Sequence, residues 1–184
     1  MAGALIAGGD KFFSRSVQSE GFSRHLGDIN LELHGIGEGK TELAVGTPEG
    51  ETDAAFLAAS LKGEGYPTII YHHGSGEHPF DFGRFSKNTF KNILVDADEP
   101  VEANIIAVRA PFHGASLKSY KEKISHLSNF VLMLSVSVVL IDKLAAAVRE
   151  KFGDPVVVTG ISLGGWATNL HRTYFNSADI YIPI

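Results

Sequence analysis

The amino-acid sequence predicts an α/β fold, with a mostly parallel sheet, helices on both faces and antiparallel strands at the N-terminal end. Three apolar runs carry this prediction, at 66–71, 103–108 and 155–159. They do not alternate apolar with polar residues, which is typical of strands buried on both faces. Helix-like segments follow the second and third runs, and such a succession of strand and helix indicates parallel pairing.

The N-terminal part has a different pattern. Residues 1–28 are predicted to be an extension or arm, with a short helix or irregular segment at 14–24. Three strand-like runs follow, separated by Gly, Pro and Glu residues suited to turns, at 29–33, 42–45 and 54–59. They predict an antiparallel entry to the sheet, so residues 29–184 are assigned to one α/β domain.

One glycine-rich segment in this part resembles a phosphate-binding loop. Gly39, Lys40 and Thr41 supply the end of the G-x-x-x-x-G-K-[ST] motif, but His34 stands where the first glycine belongs. The residues after Thr41 have a strand pattern, so no helix N-terminus is available to receive a phosphate. A surface turn is the better interpretation.

The segment 119–152 predicts one long helix. Its most apolar part, 130–141, is shorter than the roughly 20 residues that cross a bilayer, so we expect a buried core helix and no membrane span. A second helix at 165–174 and a last strand at 178–182 follow. The first ten residues lack the basic and long apolar regions of a secretory signal.

Composition limits the possible partners and cofactors. The 184 residues carry a net charge of -5 and no run of Lys or Arg, which argues against nucleic-acid binding. No cysteine is present, which excludes a thiolate zinc site and a thiol nucleophile and agrees with a cytoplasmic location. His72, His73 and His78 have no carboxylate at ligand spacing, so we expect hydrogen-bonding roles, no metal and no cofactor.

The chemistry is concentrated in the pattern G-x-S-x-G at Gly160, Ser162 and Gly164. Because an apolar strand precedes it and a helix-compatible segment follows, it predicts a nucleophile elbow, in which a serine lies on a sharp strand-to-helix turn. The two glycines avoid collisions between the turn and the neighbouring chain. Ser162 then lies at the carboxyl edge of the sheet, where the helix N-terminus favours developing negative charge.

A second element follows the first buried strand, at His73, Gly74 and Ser75. Two backbone N–H donors near an attacked carbonyl stabilise the negative oxygen of an acyl-transfer intermediate. We expect one donor to be the N–H of Leu163 and the other to be that of Ser75 or Gly74, with His73 supporting the loop. A polar turn that only closes the strand is the alternative.

Three segments together resemble the α/β-hydrolase superfamily and its serine esterases and lipases, at 68–76, 105–116 with a P-x-H-G-x-S turn, and 156–165. The resemblance covers most of the chain from residue 31 onwards, and it implies a catalytic acid and a histidine beyond the strand that follows the elbow. The sequence ends at Ile184, before such residues. It is either the N-terminal part of a longer hydrolase, lacking the C-terminal strands, or a protein that has lost the catalytic machinery.

The predicted function is a serine hydrolase for a small ester or related acyl substrate, with acid and histidine outside the chain. His171 lies over two helical turns beyond the serine and Asp179 begins a strand, so we expect neither at the nucleophile. A non-catalytic α/β domain that binds a small ligand or a protein partner is the alternative. Because 181–184 is an apolar strand end, we expect a second copy or segment to cover that edge of the sheet.

Overall fold

The computed structural model describes residues 22–86, 88–114, 116–153 and 155–184. Most of the predicted arm, and with it most of the helix expected at 14–24, lies outside the described residues. From its first described residue the chain forms a short helix, α1 (Phe22–Gly27). Leu26 of this helix is buried in the main core, so the end of the predicted arm packs on the domain.

The described sheet has six strands, and its architecture confirms the predicted fold class. The strands are β1 (Gly39–Thr47), β2 (Gly50–Ser60), β3 (Thr68–His72), β4 (Asn104–Arg109), β5 (Val156–Gly160) and β6 (Ile180–Pro183). Their spatial order is β1-β2-β4-β3-β5-β6. β2 pairs antiparallel with β1 and β4, whereas β3–β4, β3–β5 and β5–β6 are parallel pairs. The three apolar runs thus form the centre of the sheet.

The prediction of a strand at 29–33 is wrong. Only Asn30 pairs there, in an isolated antiparallel bridge with Gly46 that has two backbone hydrogen bonds of 2.9 Å. Leu31 and Ile36 are buried in the main core, so packing rather than strand pairing explains the apolar residues of this segment. Gly39, Lys40 and Thr41 of the phosphate-loop-like segment begin β1, and no helix follows them.

The helix predicted at 119–152 is also corrected, because two helices occupy that segment. The helices after α1 are, in chain order, a short π-helix (Lys91–Val95), α2 (Leu117–Ile124), α3 (Leu127–Phe152) and α4 (Leu163–Tyr174). The chain leaves the helical path at His126, whose φ of -90° and ψ of 124° are extended. The Ser125 hydroxyl donates to the Glu122 carbonyl at 2.7 Å, which satisfies one of the carbonyls that the end of α2 leaves unpaired.

Helix α3 packs against the sheet as a core helix. By length and composition it could cross a membrane, but 67% of its most apolar window is buried inside the fold. It shares the main core cluster with strand residues such as Phe56, Ile70 and Val158. On the opposite face Phe90 packs against Tyr71, with ring centroids 5.4 Å apart. Both faces of the central strands are therefore covered, as a parallel sheet requires.

Candidate active site

Ser162 lies on the sharp turn between β5, which ends at Gly160, and α4, which begins at Leu163. Its φ of 54° and ψ of -109° fall in a region that residues with side chains seldom adopt, so its backbone is strained. The Ser162 N–H donates to the Ile184 carbonyl at 2.7 Å, and its carbonyl accepts from the Trp166 N–H at 3.1 Å. These hydrogen bonds hold the strained residue from both sides while it stays exposed to solvent.

The glycines of the elbow allow three backbone segments to meet. A Cβ atom at Gly164 would lie 2.0 Å from the His72 carbonyl oxygen, and one at Gly160 would lie 2.6 Å from the Gly164 carbonyl carbon. Real Cβ atoms essentially never approach another heavy atom within 3.0 Å. Glycine at these two positions therefore lets α4 begin directly against the end of β3.

The loop after β3 lies beside the elbow. The position that a Cβ atom would take on Gly74 is 3.4 Å from the Ile161 side chain and 3.6 Å from the Ile161 carbonyl. The Gly74 N–H donates to the Glu77 carboxylate at 3.0 Å, and the Thr89 hydroxyl donates to the other oxygen of that carboxylate. Of the two loop donors predicted for the oxyanion, that of Gly74 thus already has a partner within the protein.

Two backbone N–H groups at this place have no acceptor within the described part of the chain, those of Ser75 and Leu163. Leu163 is the first residue of α4, where the helix itself supplies no acceptor. The N–H of the next loop residue, Gly76, faces Nε2 of His113 at 3.4 Å. The Gly74 and Gly76 N–H groups thus face acceptors within the protein, whereas those of Ser75 and Leu163 face none among the described residues.

His72 and His73 are fully buried at the end of β3, with ring centroids 4.9 Å apart. The His73 Nδ1–H donates to the Gly74 carbonyl at 2.7 Å, and its Nε2 accepts from the Ala110 N–H at 3.1 Å. The His72 Nδ1–H donates to the His73 carbonyl at 2.9 Å, and its Nε2 accepts from the Ser137 hydroxyl at 3.0 Å. All four ring nitrogens have partners, so these histidines tie the loop to the end of β4 and to α3.

His113, in the turn after β4, completes a histidine stack formed by His72, His73 and His113. Its ring centroid lies 4.3 Å from that of His73, and its Nδ1–H donates to the Pro111 carbonyl at 3.1 Å. Burial lowers the pKa of His72 and of His113 to about 4, and it lowers the pKa of His73 well below its usual range. The three rings are therefore neutral near pH 7, and they support the loop through hydrogen bonds.

The other groups considered as triad partners lie at the far end of the parallel strands. His171 Nε2 is 3.2 Å from the Ser177 hydroxyl and 3.6 Å from the Asp142 carboxylate. Asp179 accepts from the Val156 N–H at 2.8 Å, at the start of β5. The Ser162 side chain itself makes no capping hydrogen bond to the N-terminus of α4.

Two residues that no sequence motif marks, Glu77 and Tyr120, contact the loop after β3. Glu77 holds the Gly74 N–H, and the Tyr120 hydroxyl lies 2.6 Å from the Ser75 hydroxyl. Ser75 and Tyr120 are 45 positions apart, so the contact depends on how α2 packs. The sequence feature closest to Tyr120 is the P-x-H-G-x-S turn, which leads into α2.

A groove of about 780 Å³ lies between the β1–β2 hairpin and α2, but neither the elbow nor the loop after β3 lines it. Arg109 in this groove donates to both oxygens of Glu42, at 3.1 and 2.6 Å, and to Asp53 at 2.9 Å. This bidentate ion pair fixes the hairpin to the end of β4. The groove is therefore not part of the candidate site.

No protein-family model and no curated protein matches the sequence. Several solved structures are similar, among them acetyl xylan esterase 1 from Thermoanaerobacterium sp., at 14% identity and a TM-score of 0.49 over 92% of this chain and 57% of that one. A putative acetyl xylan esterase from Bacteroides fragilis has 17% identity and a TM-score of 0.46 over 85% and 49%. An esterase from Pyrobaculum calidifontis has 12% identity and a TM-score of 0.39 over 97% and 50%. This chain spans about half the length of these structures.

The geometry of the chain itself defines the architecture around the site. An antiparallel β1–β2 entry leads into parallel strands, and a strained serine joins the central β5 to α4. A glycine-containing loop after the adjacent β3 lies against that serine's turn. The chain therefore has an α/β fold in which an antiparallel entry leads into parallel strands and Ser162 lies on the sharp turn between β5 and α4.

Proposed function

We propose that this chain carries the nucleophile and the oxyanion hole of a serine hydrolase for an ester or a related acyl compound. The observation that carries the proposal is the backbone of Ser162, which is strained, exposed and clamped at both its N–H and its carbonyl. Strain of this kind persists only where surrounding contacts enforce it, and it is concentrated at functional sites. An ordinary surface turn does not require such a strained backbone.

In the proposed reaction the Ser162 oxygen forms a bond to the substrate carbonyl carbon while a base takes the hydroxyl proton. The carbonyl electron pair moves onto its oxygen and returns as the bond to the leaving alcohol breaks, and that alcohol receives the proton from the base. Water then attacks the acyl-enzyme in the same way and releases the acid and the free serine. We assign the base to a histidine, with its acid, outside the described chain.

We propose that the N–H groups of Leu163 and Ser75 donate hydrogen bonds to the negative oxygen of the intermediate. Helix α4 begins at Leu163, so the positive end of its dipole faces the same position. Ser75 is preferred over Gly74 because the Gly74 N–H donates to Glu77. Removing one donor of this kind from a hydrolase costs on the order of a hundredfold or more in kcat.

A second candidate function is supported by one observation: His73 and His171, two histidines considered as a base, hydrogen-bond to partners other than Ser162. In that case the domain binds a small ligand or a protein partner, and the serine is a turn residue. This alternative predicts that Ser162→Ala leaves all measurable binding intact. A hydrolase predicts that the variant loses covalent chemistry and keeps the fold.

The test is labelling with a fluorophosphonate, carried out on the full-length protein. We expect one labelled site, located at Ser162 by peptide mapping and abolished by Ser162→Ala. Ser177→Ala is the matched control, since Ser177 also lies beside a histidine and an aspartate but away from the elbow. Labelling that survives Ser162→Ala, or that maps elsewhere, contradicts the proposal.

A further inference from the structure

Ser75 has an unusual anchor for an exposed loop serine. Its Oγ lies 2.6 Å from the hydroxyl of Tyr120, the fourth residue of α2, which is buried with only 4% of the residue exposed. An exposed serine is otherwise free to rotate and to exchange its partners with water. This hydrogen bond instead ties the loop after β3 to a helix that follows β4.

Tyr120 is itself fixed. Its N–H donates to the carbonyl of Ser116, the residue that caps α2, at 2.9 Å. Its ring lies against that of His113, with centroids 4.1 Å apart, and His113 also faces the N–H of Gly76. The ring and the hydroxyl of Tyr120 therefore have little conformational freedom. Because the hydroxyl contacts Ser75, the loop after β3 is held in a fixed position relative to α2.

Tyr120 also belongs to the buried cluster that contains Leu163, together with Ala110, Met133 and Leu134. The same side chain is thus hydrogen-bonded to one proposed oxyanion donor residue and shares a packed cluster with the other. Burial raises the pKa of Tyr120, so its hydroxyl keeps its proton at neutral pH. It can then serve as a permanent hydrogen-bonding partner of the loop.

We propose that Tyr120 is a positioning residue of the oxyanion hole, whose hydroxyl holds Ser75 so that the Ser75 N–H faces the oxygen of the carbonyl attacked by Ser162. This assignment rests on the proposed function. It predicts that the Tyr120 hydroxyl affects stabilisation of a tetrahedral adduct rather than the fold. A misplaced catalytic group can cost up to about a hundredfold, so a loosened donor is expected to cost about tenfold.

The probe is phenylboronic acid, followed by ¹¹B NMR with the full-length protein. The boron accepts the Ser162 oxygen and becomes tetrahedral, the hydroxyl proton is released, and a boronate oxygen occupies the place of the oxyanion. We expect Tyr120→Phe to raise the dissociation constant of the adduct about tenfold while the free energy of unfolding changes little. Ser75→Ala should have the same effect, and the double variant should be no worse than either single one.

Tyr181→Phe is the matched control, because Tyr181 also uses its hydroxyl in a hydrogen bond, with the Ala178 N–H, but lies in β6. It should bind phenylboronic acid like the wild type. Equal affinities for Tyr120→Phe and Tyr181→Phe, or additive losses for Tyr120→Phe and Ser75→Ala, overturn the assignment. If the wild type forms no adduct that Ser162→Ala abolishes, the proposed function itself is overturned, and the role of Tyr120 with it.

Discussion

At the scale of single residues, the elbow requires glycine at positions where a Cβ atom would collide with the backbone. Gly164→Ala puts a methyl group 2.0 Å from the His72 carbonyl oxygen, a backbone atom that cannot rotate away. We expect a loss of about 3 kcal/mol or more in the free energy of unfolding, measured by urea denaturation. Gly37→Ala is the control, since nothing lies within 4 Å of its Cβ position. Equal losses in the two variants contradict this account of the turn.

The same scale shows which parts of the site the sequence could predict. Gly160, Ser162 and Gly164 form one local motif, and the apolar run before it and the helix pattern after it were sufficient to predict the turn that the structure has. Tyr120 and Glu77 carry no motif, because their contacts with the loop exist only after α2 and the segment before β4 have packed. The sequence could not decide whether Gly74 or Ser75 is the oxyanion donor, because the contact between Gly74 and Glu77 also exists only in the folded chain.

At the scale of elements, the histidine stack joins the end of β3 to the turn after β4, and it makes this junction sensitive to acid. Burial lowers the pKa of His72 and of His113 from 6.5 to about 4. Below pH 6.5 the unfolded chain binds protons at these histidines while the folded chain does not, so the free energy of unfolding falls as pH falls towards 4. Above pH 6.5 this contribution is constant.

We therefore expect urea denaturation to show lower stability at pH 5 than at pH 7.5, by about 1 kcal/mol or more for each histidine of the stack. His113→Gln removes one titrating group, so the difference between the two pH values should become smaller in this variant. His34→Gln, at an exposed histidine, is the control and should leave the difference unchanged. An identical pH dependence in His113→Gln and the wild type excludes this origin of the acid sensitivity.

Two further differences between sequence and structure belong to this scale. The break between α2 and α3 occurs without Gly or Pro, through a serine that hydrogen-bonds the end of α2, so periodicity could not reveal it. The irregular segment at 29–33 contains buried apolar residues but only one bridge. In both places hydrophobic pattern correctly indicated burial, whereas tertiary contacts decided the secondary structure.

At the scale of the whole molecule, one edge of the described sheet is apolar. Ile180, Ile182 and Ile184 are 46%, 48% and 63% exposed, and among the described strands β6 pairs only with β5. Exposed apolar strand edges favour pairing with another chain. We expect the 184-residue chain to associate, or to bind a further segment along β6, when it is studied by size exclusion with light scattering.

Ile182→Lys should shift the chain towards the monomer, because a charge on the edge opposes pairing. Ile93→Lys is the control, since Ile93 is similarly exposed, at 45%, but belongs to the π-helix before β4. A wild type that stays monomeric at high concentration contradicts the expectation. An equal shift towards the monomer in Ile182→Lys and Ile93→Lys also contradicts it.

The hydrogen bond from the Ser162 N–H to the Ile184 carbonyl has a consequence for how the protein matures. Residues 160–165 cannot keep a positive φ at a serine by themselves, and the carbonyl that holds it comes from the end of β6. A nascent or partly folded chain in which β6 is not yet docked should let this segment relax to ordinary dihedral angles. The strained conformation of Ser162 therefore depends on the docking of β6 against β5.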